Sequence, residues 1–133
     1  MENTYNEKLS HISDLVKLSR ADNDESQLEN IFIEKIAKKL GVSKIDLDRI
    51  KNDEIGFHPP KFEFEAIPQF HRLIILMGID FRVDEAEVSF CRELGIRLGL
   101  NPTAVNEVLD VMQKQPSKMM SPITMNEIFR KYN

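Results

Sequence analysis

Two carboxylates seven residues apart, Asp22 and Glu29, return as Asp80 and Glu87 at a constant offset of 58 residues. Carboxylate oxygens are the natural ligands of hard divalent cations. Each pair belongs to an acidic cluster: Asp22, Asp24, Glu25 and Glu29 in the first, Asp80, Asp84, Glu85 and Glu87 in the second. Like charges at that spacing repel, and a bound Ca²⁺, Mg²⁺ or Mn²⁺ would relieve the repulsion. The acids have a second use. Ser26-x-x-Glu29 and Asp84-x-x-Glu87 have the form of a capping box, in which the cap side chain accepts an amide of the first turn and the Glu reaches back to the cap's own N–H. Capping accounts for Glu29 and Glu87 but not for Asp22 and Asp80, which precede the caps by four residues. Two uses therefore stay open: a metal set of Asp22, Glu29, Asp80 and Glu87, or helix ends with solvated acids.

An EF-hand is excluded. The twelfth position from Asp22 is Ile33 and from Asp80 is Cys91, where a bidentate Glu is required, and the sixth positions are Gln27 and Glu85 in place of Gly. His11, His58 and His71 show no zinc spacing and read as structural or solvated. Cys91 lies in the apolar stripe of its helix and reads as a buried, inert thiol. No glycine-rich phosphate loop and no Gly-x-Ser-x-Gly occurs, so no enzymatic activity is expected.

The elements that carry the acids follow from periodicity. The offset that aligns the acids also aligns Leu15 with Leu73, Leu18 with Leu76, Phe32 with Phe90 and Leu40-Gly41 with Leu98-Gly99. Apolar residues recur between them at helical spacing, which implies a duplicated helical unit, about 5–52 and 63–115, joined by a linker over 53–62. In each unit a first helix precedes the acidic turn. A second follows the cap and stops at Gly41 or Gly99, a left-handed position. A third opens at Ser43 or at Asn101-Pro102. Pro59-Pro60 bars helix from the linker. Ile67, Phe70, Leu73, Ile74 and Met77 make the most apolar helix, expected at the centre of the core. A last capping box is expected at Thr124-x-x-Glu127, opening a C-terminal helix over about 124–132. The fold class is all-α, with about seven helices in one domain.

Length and charge agree with this. A chain of 133 residues with 41% hydrophobic and 30% charged content can bury a core without staples. One cysteine leaves no internal disulfide. A net charge of −4 supplies no reason for a nucleic-acid partner, and the basic residues Lys35, Lys38, Lys39, Arg92 and Arg97 are interleaved with Glu34 and Glu93. No secretory pattern opens the sequence and no apolar run is long enough to be a transmembrane segment, so a cytoplasmic location is expected. Phe57-His58-Pro59-Pro60-Lys61-Phe62 reads as gap-filling linker in preference to a displayed ligand, and Met112, Met119, Met120 and Met125 as core or tail contacts.

The duplicated Asp-then-Glu arrangement, each copy closing on Leu-Gly, together with the seven-helix count, resembles the TerB-like domain family of tellurite-resistance operons. Ala21-Asp22 and Asp80-x-x-Val83-x-x-x-Glu87 carry the likeness. Asn23 and Phe81 stand where the family has Gly, and Glu25 where it has an apolar residue. The resemblance implies a non-enzymatic, stress-associated module that binds a divalent metal through the repeated acids. The alternative is a protein-interaction or homodimer scaffold with no cofactor, its acids serving helix ends only. Under both, the partners expected are proteins.

Overall fold

The computed structural model describes residues 5–21, 26–52, 63–79 and 83–132, with the side chains of 63–65 left aside. Among these the chain forms seven helices and no strand: α1 (Tyr5–Ser19), α2 (Gln27–Leu40), α3 (Lys44–Lys51), α4 (Glu63–Gly78), α5 (Glu85–Arg97), α6 (Pro102–Lys114) and α7 (Pro122–Lys131). The linker 53–62 lies outside the described residues, as do Asp22 and Asp80.

Helix ends are set by the side chains that the spacing pointed to. Ser26 Oγ accepts the Glu29 amide at 3.1 Å while Glu29 Oε1 accepts the Ser26 amide at 2.9 Å, closing the box at the head of α2. At α5, Asp84 Oδ1 accepts the Ala86 amide at 2.7 Å and Glu87 Oε1 accepts the Asp84 amide at 3.3 Å. The C-terminal ends match as closely. Gly41 and Gly99 take φ of 80° and 92°, the left-handed region where glycine has no Cβ to clash. Beyond them the Val42 amide reaches the Ala37 carbonyl at 2.8 Å and the Leu100 amide reaches Gly95 at 3.2 Å, the six-to-one bond of a Schellman end. Caps and stops thus recur at the 58-residue offset.

The packing does not recur in the same form. In the first half α1 packs on both α2 and α3; in the second half α5 packs on both α4 and α6. What recurs is the helix punctuation alone, because local hydrogen bonds are fixed by local sequence while packing partners are chosen by the whole chain.

The core joins both halves. α4 contributes Ala66, Phe70, Leu73, Ile74, Leu76 and Met77, all fully buried, as its composition demanded. Phe70 meets Phe129 of α7 edge to face, centroids 6.1 Å apart at 82°, a favoured arrangement for two ring quadrupoles. Where α4, α5 and α6 converge, a Cβ on Gly95 would stand 2.8 Å from the Phe70 ring and 3.1 Å from Val105. Only a glycine lets these helices approach so closely.

α4 holds its expected central place, but one element joins it there and one helix start is corrected. The central element is α1 as much as α4: every residue from Leu9 to Val16 is buried, enclosed by α2, α3, α4 and α5. Its stripe includes Ser10, His11, Ser13 and Asp14, so apolar counting undervalued it. The last helix starts earlier than Thr124. Ser121 is its cap, accepting the Thr124 amide at 3.1 Å, and Pro122 occupies the first turn. Proline needs no amide partner there, so Ser121-Pro122 outcompetes the Thr124 box.

Candidate functional site

The acids proposed for metal divide by place. Glu29 and Glu87 are buried to 3% and 2% exposure, each with a carboxylate oxygen engaged by its own N-cap amide. Among the described residues no group of three or more His, Cys, Asp or Glu side chains is placed to hold a metal ion. Their chemistry as seen is that of helix ends, where a carboxylate both accepts an orphan amide and answers the helix dipole. Cys91 is fully buried, and burial pushes its thiol far above the usual range, with Glu87 adding to the rise; the thiolate that chemistry would need is suppressed.

A second polar group, missed by motif reasoning, runs inside α1. His11 is buried, and neither ring nitrogen has a hydrogen-bond partner among the described residues. Burial, with the Arg72 charge beside it, lowers its pKa to about 3. One turn on, Asp14 is also buried, and desolvation raises its carboxyl to about 7 against the pull of Arg97 and Lys17. Both groups are therefore held toward their neutral forms, as low-dielectric surroundings require.

Arg72 links this interior to the surface. It lies half-buried on α4, burial lowers its pKa below the ordinary arginine value, and it makes no hydrogen bond or ion pair among the described residues. Its outer side borders a groove of about 350 Å³ between α2, α4 and α7. The walls are apolar, with Phe32 and Ile36 from α2, Ile67 and Ile75 from α4, and Met125 from α7. The polar lining residues are Lys39, His71, Arg72 and Asn126, with no carboxylate among the described lining residues. His71 is held by its Nε2 atom, 2.8 Å from the Met120 carbonyl.

No family model, no curated protein and no solved structure matches the chain. The TerB-like likeness therefore rests on the residues quoted for it.

The apolar lining extends past the groove. Leu28 and Ile31, the preceding turns of α2, are 50% and 42% exposed. With Phe32 and Ile36 they form a stripe at i, i+3, i+4 and i+8, the spacing of one helix face. The buried face of α2 is a different one, made by Glu29, Ile33 and Ala37 and packed mainly on α1. α2 thus has a second apolar face that its neighbours cover only in part: Phe32 and Ile36 pack half-buried against the core while Leu28 and Ile31 stay exposed. The signal was present in the sequence as an α2 stripe too broad for one partner, but only the fold shows which half is left open.

No described helix is long and apolar enough to cross a membrane.

Proposed function

We propose that the chain is a non-enzymatic binding module that receives a protein partner along the open face of α2 and the groove beside it. The observation that carries this is the stripe Leu28, Ile31, Phe32 and Ile36, exposed at Leu28 and Ile31 and half-buried at Phe32 and Ile36, where it enters an apolar groove of about 350 Å³. Apolar surface gathered into one patch and rimmed by polar groups marks an interaction site, whereas scattered exposed residues do not. The groove also has the size and lining of a recognition site: mostly apolar walls with a few polar groups to fix orientation. Among the described lining residues there is no nucleophile-and-base pair, and the one thiol is suppressed. This is the scaffold reading. The metal reading, through Asp22, Glu29, Asp80 and Glu87, is a separate proposal decided by cation titration. The test of docking is site-specific photocrosslinking in the native host. A photoreactive side chain at position 31 should give a discrete protein adduct, while one at the exposed position 93 on α5 gives none; no adduct from 31 rejects the docking face.

A further inference from the structure

The edge of the groove carries a selectivity that apolar walls alone cannot supply. We infer that its occupant is an acidic amphipathic helix of a partner protein, anchored by a carboxylate on Arg72. This deepens the docking reading and rests on it.

Charge is the first support. The chain has 22 acidic and 18 basic residues, yet the described groove lining holds Lys39, His71 and Arg72 and no acid. A basic patch on an acidic protein is selective against other copies of the same surface and for a negatively charged partner. Arg72 is the second. Its guanidinium is half-buried, it pairs with no described acid, and the buried ring that feels its charge, His11, is itself without a hydrogen-bond partner among the described residues. Asp14, the buried acid nearest in sequence to His11, is set against Arg97 and Lys17 instead. A desolvated guanidinium left unpaired is costly, and a carboxylate that arrives in the groove meets a planar donor fork suited to it.

Shape chooses the kind of occupant. The stripe from Leu28 to Lys39 covers eleven residue steps of α2, roughly 17 Å at the rise of an α-helix. That exceeds the groove itself and suits about three turns of a second helix laid along α2, its apolar side chains entering at i, i+3, i+4 and i+7. Its acidic residues would then fall beside Lys39 and Arg72 at the groove edge.

The test is selection of a displayed library of random dodecapeptides on the full chain, followed by affinity measurement of the winning peptides on variants. Enriched peptides should combine helical apolar spacing with flanking Asp or Glu. Arg72→Gln should weaken them about tenfold or more, the loss of one charge-assisted hydrogen bond. It should also bring each acidic peptide level with its Glu→Gln twin. Ile36→Glu should abolish binding of both twins, and circular dichroism of the two variants checks that they remain folded. Enrichment of peptides without acids, or an unchanged preference in Arg72→Gln, overturns the acidic partner and leaves docking intact. No enrichment at all overturns both. Binding of decanoate in place of peptides, or self-association on sedimentation that Ile36→Glu removes, overturns the inference in favour of a lipid or a second copy.

Discussion

His11 and Asp14 stand one turn apart on α1, both closed off from water, and burial drives their ionisations in opposite directions: the imidazole falls to about 3 and the carboxyl rises to about 7. The two groups therefore impose opposite pH dependences on the same helix.

His11 has a folded pKa below its ordinary 6.5, so its contribution is complete above 6.5 and is lost as pH falls toward 3. Asp14 has a folded pKa above its ordinary 3.8, so its contribution is complete below 3.8 and is lost as pH rises toward 7. Between about pH 4 and 6.5 the slopes cancel. Urea unfolding of the wild type should be nearly level over that window. Asp14→Asn should unmask a loss on acidification, and His11→Leu a loss on raising pH, each on the order of a few kcal/mol across its range. Variants that keep the level wild-type profile would refute the pairing.

Among the described glycines, Gly78 has the least room for a side chain. A Cβ there would sit 2.1 Å from the Lys118 carbonyl oxygen, and Lys118 already holds a positive φ of 55°. Backbone cannot swing aside as a side chain tip can. Gly78→Ala should cost about 1–3 kcal/mol by overpacking, read from the urea midpoint. Gly41→Ala, where the added Cβ meets nothing within 4 Å, should cost only the left-handed strain, about 1 kcal/mol. Equal costs at the two positions would contradict this.

Glu29→Ala and Glu87→Ala should each lower stability by about 1–2 kcal/mol through loss of a buried cap. The effects should add, since the two residues head different helices. Under the capping reading, millimolar Ca²⁺, Mg²⁺ or Mn²⁺ leaves Tm unchanged. A rise that Asp22→Ala and Asp80→Ala abolish would instead establish the metal reading.

Cys91 should resist a disulfide reagent such as 5,5′-dithiobis(2-nitrobenzoate) in the native protein and react only as the core opens, because its thiol is buried and its ionisation suppressed. The labelling rate should rise with urea in step with global unfolding. Prompt labelling without denaturant would show α5 to be loosely packed.

The all-α class and the helix ends were legible because they depend on neighbours in sequence. Ser26 with Glu29 and Asp84 with Glu87 each act within one turn, and Gly41 and Gly99 each close the last turn of their own helix. The interior of α1 was not legible, since Ser10, His11, Ser13 and Asp14 look like a solvated face until four helices close over them. The groove was hidden for the same reason. Its walls come from α2, α4 and α7, brought together only by tertiary packing. At α7, two overlapping start signals competed, and Ser121-Pro122 prevailed over Thr124.

The lone imidazole at the dry centre of α1 has an evolutionary corollary. A ring whose nitrogens find no mate is a thermodynamic burden, and leucine would fill much the same space at a profit in robustness. Drift constrained by folding alone would erase it within a lineage. Persistence of histidine at that place across orthologues would therefore record a duty imposed from outside the fold.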